Sequence, residues 1–208
     1  MFHQDNLTHS LAQIGAQSSF SIFEELKAVY TEPGRYYHTD KHVGECLTHL
    51  QLLRHQATRP AEIEVALWFH DAVYDTRRPD NEERSAEWAV KFLGASKVGQ
   101  AIRELVARLI MVTQTHALYD ADTALMTDID LSILGAQPHV FEQYDTDIRR
   151  EYSWIPGEQF RRGRIQVLNN FLERAEIYKT SYFLAKYEQQ ARLNLRRKIE
   201  QLPFGLLL

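Results

Sequence analysis

Apolar residues recur along most of this chain at intervals of three and four, the spacing of one helix face, and strand-like alternation is weak throughout. Residues 18–30 (SSFSIFEELKAVY) hold the helical pattern until Glu32-Pro33-Gly34 interrupts it. Residues 40–55 begin behind Thr39 and Asp40, good N-cap types, and set Val43, Cys46, Leu47, Leu50 and Leu53 on one stripe. Pro60 opens a predicted helix over 60–70 that carries Ile63, Ala66, Leu67 and Phe69. After the loop DTRRPDN come helices near 81–93, over 98–116, and over 123–134 behind Asp122, the last closed by Gly135 at a C-cap position. Two long amphipathic helices, about 158–179 and 181–201, complete the chain. The expected fold is all-α, one domain over 1–208.

Bulk properties narrow the functions. In 208 residues, 44% are hydrophobic and 25% charged, enough apolar material to close a core without a metal as staple. A net charge of -4 argues against broad electrostatic binding to nucleic acid or to an anionic membrane. No apolar run approaches membrane-spanning length, and the start MFHQDNLTHSL lacks the basic and apolar regions of a secretory signal, so the expected compartment is cytoplasmic. Cys46 stands alone, which excludes a disulfide framework and a cysteine-rich zinc site.

Chemistry concentrates in three stretches. In WFHDAVYD, residues 68–75, His70 follows Leu67, Ala66 and Ile63 by three, four and seven positions and so shares their apolar face. A histidine–aspartate pair at the buried end of an apolar helix needs partners, and a divalent cation satisfies both side chains at once. The bland reading is a core histidine capped by its neighbour. In RYYHTDKHVGECLTHL, residues 35–50, His42 sits at the edge of the stripe led by Val43, with His38 and His49 at helical intervals. Further on, TALMTDIDLSILG places Asp128 and Asp130 in a strongly apolar helix, on opposite flanks of the stripe Leu125, Met126, Ile129 and Ile133, where periodicity does not separate them.

The ordered set His42…His70-Asp71…Asp resembles the HD-domain superfamily of metal-dependent phosphohydrolases. The blocks YHTDKHV, WFHDAVYD, NEERSA, DIDLSILGA and IRREY look like an uncharacterised bacterial branch of it, over roughly residues 30 to 195. The resemblance implies an HD-like helical bundle, core about 20–140, with additional C-terminal helices over 141–202. It implies His42, His70, Asp71 and a late aspartate as ligands of one divalent ion (Mn, Fe, Co, Ni, Zn or Mg), which ligand type alone does not discriminate. In related HD proteins apolar residues stand five and six positions after the last ligand; Ile133 and Leu134 stand so after Asp128, making Asp128 the expected ligand and Asp130 the alternative.

The expected activity is hydrolysis of a small phosphorylated substrate, nucleotides included, by a metal-activated water, with Asp71, Glu82 or Glu83 helping to remove its proton. Glu82 and Glu83 read equally as an acidic first helical turn. Arg35, His38, Lys41 and His116 are the candidate substrate contacts, although His116 also fits a favourable charge at a helix C-terminus. Arg149, Arg150 and the run FRRGR supply further cations that read either as a substrate mouth or as paired helix surface. The alternative function is a non-catalytic metal- or nucleotide-binding domain; iron-dependent oxygenase chemistry is a minor option, since few extra histidines stand between HD and the last aspartate. The two C-terminal amphipathic helices offer a surface for a homodimer.

Overall fold

The computed structural model describes residues 2–16, 20–115 and 120–202, and every regular element among them is helical. The helices are α1 (Gln4–Gln13), α2 (Phe20–Tyr30), α3 (Asp40–Leu53), α4 (Pro60–Phe69), α5 (Asn81–Ala95), α6 (Gln100–Thr115), α7 (Ala121–Asp130), α8 (Pro138–Glu151), α9 (Gly157–Leu172) and α10 (Ser181–Gln201). Short 3₁₀ turns follow α3 (Arg54–Gln56) and α7 (Leu131–Gly135). No helix among the described residues is long and apolar enough to cross a membrane.

The chain forms two compact units, Met1–Asp130 and Leu131–Leu208. The first includes α1, which buries Leu7, Ser10 and Leu11. In the second, the 3₁₀ turn after α7 packs against α10.

In the first unit, α4 explains the arrangement. Ala61, Ile63 and every residue from Val65 to Phe69 are buried, so beyond Glu62 and Glu64 of its first half the helix is apolar on all sides and lies at the centre. Helices α1, α3, α5, α6 and α7 surround it. Its N-terminus is capped from α7: Asp122 accepts hydrogen bonds from the backbone N–H of Thr58 (2.7 Å) and of Arg59 (3.0 Å). That clamp fixes α7 beside α4 in one axial register, so both helices deliver their last residues to the same end. Gly34, at φ +100°, turns the chain between α2 and α3 through a conformation that side chains resist.

The second unit packs Phe141 and Ile148 of α8, Phe160, Ile165 and Leu168 of α9, and Phe183, Ala191 and Leu195 of α10. Its 3₁₀ turn is held by side-chain bonds: Asn194 donates to the carbonyls of Leu134 and Ala136, both at 2.9 Å, and the Tyr178 hydroxyl donates to Leu131 at 3.0 Å. The helix expected over 158–179 stops at Leu172, because Glu188 instead accepts the N–H groups of Ile177 and Tyr178 and holds that segment off the helix.

Candidate metal centre

The centre is built at the end of α4, where the last carbonyls of a helix have no intrahelical donor. Three of them are met individually. The Leu67 carbonyl accepts from His70 Nδ1 at 2.9 Å, Trp68 from the Tyr30 hydroxyl at 3.0 Å, and Phe69 from the Ala72 N–H at 2.9 Å. The first of these bonds sets the imidazole: with its proton on Nδ1, His70 turns the Nε2 lone pair outward, the tautomer a metal ligand needs.

Three helical segments then converge. His42 comes from the first turn of α3, His70 and Asp71 follow α4, and Asp130 ends α7. His42 Nε2 lies 3.2 Å from His70 Nε2, 3.6 Å from Asp71 Oδ2 and 3.3 Å from Asp130 Oδ1. His70 Nε2 lies 3.0 Å from Asp71 Oδ2 and 3.5 Å from Asp130 Oδ1. Two ligands each about 2.1 Å from one ion stand about 3.0 Å apart at a right angle and about 3.4 Å apart at the tetrahedral angle. Most of the observed separations lie near those edges, so His42, His70 and Asp130 stand close enough to share one divalent ion, with Asp71 beside both histidines. The histidine side chains are 4% and 1% exposed, whereas Asp71 and Asp130 retain 15% and 18%; the centre is closed on its imidazole side and reached from solvent on its carboxylate side.

Cys46, one turn after His42, joins them: the donor atoms of His42, Cys46, His70 and Asp130 all lie within 4.8 Å of one another, a group able to hold a metal ion. Its sulfur is 3.8 Å from both ring nitrogens of His42. Equal distances at that length keep the sulfur off the axis of the His42 Nε2 lone pair, while Asp71 lies beside both histidines. Its i, i+4 spacing to His42, which puts both side chains on one helix face, is the sequence signal for the thiol's position.

The electrostatics are those of a cation site. Burial opposes charge on His70, but Asp71 and Asp130 outweigh it and lift its pKa well above the ordinary 6.5. Burial likewise opposes charge on Asp71 and Asp130, yet the histidines hold both carboxyls below the usual carboxylate range. Neighbours feel the net field as negative. Burial, then Asp130 and Asp71, push the Cys46 thiol up, and burial followed by Asp71 raises Glu82.

The remaining candidates divide. Asp130, not Asp128, presents its carboxylate to both histidines. The two positions differ by two residues, about 200° around the helix, and the clamp at Asp122 turns the Asp130 flank toward α4; Asp128 is fully buried in the same helix. Arg35 is corrected from substrate contact to internal support: its side chain is buried and its guanidinium binds backbone carbonyls of His38, Asp71 and Ala72. Lys41 is exposed and lies 3.9 Å from Glu45 on its own helix, which removes it from the centre. His38 does lie beside it, its ring centroid 4.1 Å from that of Tyr74 and 6.0 Å from that of His42.

Of the two glutamates, Glu82 is half-buried, takes an amide bond from Gln114 at 3.1 Å and feels the charges of Asp71 and Asp130, while Glu83 is exposed and is set aside as a catalytic candidate. Asn81 and Ser85 of the same block have a role the sequence left unread: they tie α5 to Asp75 and Val73 in the loop after Asp71. His116 lies outside the described residues. The later basic residues take the paired reading: Arg161 and Arg162 share Glu158, Arg164 binds Asp145, Arg150 binds Asp147, and Arg149 donates to the carbonyls of Tyr152 and Ile155.

Compared with protein-family models, curated proteins and solved structures, the chain gives no significant match in any of the three.

Proposed function

We propose that this protein is a metal-dependent phosphohydrolase of HD-superfamily type, acting on a phosphate ester or nucleotide. The observation that carries the reading is the convergence of two imidazole nitrogens and two carboxylate oxygens, from segments far apart in the chain, at 3.0–3.6 Å. A divalent ion in this set supplies Lewis acidity, strengthening water as a nucleophile and withdrawing charge from phosphoryl oxygen. His42 and His70 offer lone pairs fixed in direction, and Asp71 and Asp130 offset the ion's charge on the side open to solvent. Glu82, with a pKa raised by burial and by the two aspartates, is the candidate to accept the proton of the attacking water. His38 is the candidate contact to the phosphate.

The test is a screen of phosphomonoesters, phosphodiesters and nucleotides with Mn²⁺, Co²⁺, Ni²⁺, Zn²⁺ or Mg²⁺, run on the wild type and on His70→Ala, Asp130→Asn and Asp128→Asn. The first two variants are expected to lose more than the roughly 10- to 100-fold typical of losing an outer partner of a ligand, while Asp128→Asn keeps metal-dependent turnover. Equal turnover in all four proteins removes the hydrolase reading. Tight metal binding by the wild type without turnover of any substrate replaces it with a non-catalytic binding domain.

A further inference from the structure

Arg35 carries a buried positive charge that the hydrolytic reading leaves without a task. Its side chain is 4% exposed, and the carboxylate nearest its Nε, that of Glu32, is 4.0 Å away and itself largely exposed. Burying a guanidinium on backbone carbonyls is expensive, and a neutral side chain would join two loops with less desolvation. What this one joins is specific. Nη1 donates to the Asp71 carbonyl at 2.7 Å and to the His38 carbonyl at 3.2 Å, so a single nitrogen bridges the two histidine blocks. Nη2 donates to the Ala72 carbonyl at 3.0 Å. The rings of Tyr30 and Tyr74 flank the guanidinium, with centroids 5.3 and 5.5 Å from Cζ. The planar fork therefore fixes two successive carbonyls after α4 relative to each other and to the approach to α3, which an ammonium on a flexible stem does not do.

We propose that Arg35 is a positioning residue for the metal centre, holding the Asp71 carboxylate in register with His42 by fastening the backbone of both blocks. The inference rests on the metal-binding reading above. Its test uses the full chain, stripped with chelator and titrated calorimetrically with whichever of Mn²⁺, Co²⁺, Ni²⁺ and Zn²⁺ binds the wild type most tightly. Arg35→Lys and Arg35→Gln are compared with Tyr30→Phe, which removes the adjacent buried bond to Trp68, and urea unfolding of each metal-free protein is measured alongside.

The expected result is a 10- to 100-fold weaker Kd in folded Arg35→Lys and Arg35→Gln, the range for outer partners of metal ligands. Tyr30→Phe is expected to lose stability with its Kd within twofold of wild type. That split separates positioning from a merely structural role, which lowers stability and leaves the affinity of the folded protein intact. Wild-type affinity in either folded Arg35 variant overturns the proposal. So does failure of both variants to fold at saturating metal, which makes the residue a stability element alone. A wild type that binds none of the four ions sinks the metal reading itself and takes this proposal with it, an outcome distinct from binding that Arg35 does not influence.

Discussion

His70 has one ring nitrogen committed to the Leu67 carbonyl and the other turned toward two carboxylates, so a proton and a cation compete for the same lone pair. The sign of the resulting pH dependence follows from the shifts. Asp71 and Asp130 titrate below the ordinary carboxylate range, so their stabilisation is complete above the unfolded value, about 4, and is lost as pH falls. His70 titrates above its ordinary value, so its contribution is complete below about 6.5 and is lost as pH rises through the raised folded value. The chelated protein is thus most stable between about pH 4 and 6.5 and weakens toward pH 9. A saturating cation displaces the proton, cancels the alkaline decline, and binds more tightly as pH rises. Urea midpoints across pH 4–9, with chelator and with Mn²⁺, check both limbs; chelated protein that gains stability from pH 6 to 8 contradicts the assignment. His42 and His70 were legible from residue type and spacing, and both fall in the group able to hold a metal ion. Choosing Asp130 over Asp128 required knowing which flank of α7 meets α4, a tertiary fact. Arg35 misled for a related reason: a basic residue beside histidines reads as a phosphate contact, and nothing local reveals that the carbonyls after α4 take its donors.

The centre depends on elements being held in register as much as on its ligands. α4 and α7 share a clamp at one end, where Asp122 accepts two backbone N–H groups, and carry candidate ligands at the other. Asp122 is buried, so its removal leaves those donors unsatisfied. Asp122→Ala is expected to lose about 1–3 kcal/mol, the range spanning a lost cap and lost bonds to a charged acceptor, whereas Asp122→Asn, which keeps one acceptor oxygen, loses less. Denaturant unfolding of the metal-free proteins tests this, and a wild-type midpoint for Asp122→Ala removes the clamp. Apolar periodicity made α2 through α7 readable, and α4 most of all. It did not disclose α1, whose QDNLTHSLAQ buries few apolar side chains, or α8, whose buried face includes Asp145 and Glu151. Asp145 reads as a surface residue until Arg164 and Lys198, each 2.8 Å away, are known to accompany it inside. Charge pairing between helices is invisible to a rule that equates polar with exposed.

The whole molecule divides so that all four proposed ligands, and the supporting hydrogen bonds of Arg35 and Asp122, fall within Met1–Asp130, the last ligand being its final residue. The second unit has its own demands. A Cβ at Gly135 would stand 2.7 Å from both the Cβ and the carbonyl oxygen of Tyr187 and 3.0 Å from the Tyr178 hydroxyl, contacts that backbone and packed rings do not relieve cheaply. Gly135→Ala is therefore expected to destabilise Leu131–Leu208 by about 1–3 kcal/mol, as overpacking does. A cation that binds only the folded first unit stabilises that unit by about 2.7 kcal/mol at a free concentration 100 times Kd. The two perturbations act on different bodies: calorimetric unfolding of Gly135→Ala is expected to keep the full metal-dependent increment, and its Mn²⁺ Kd to stay within twofold of wild type. A tenfold loss of affinity in Gly135→Ala would mean that the centre draws on the second unit, and that ligation at Asp130 is governed by the chain that follows it rather than by α4 and Asp122.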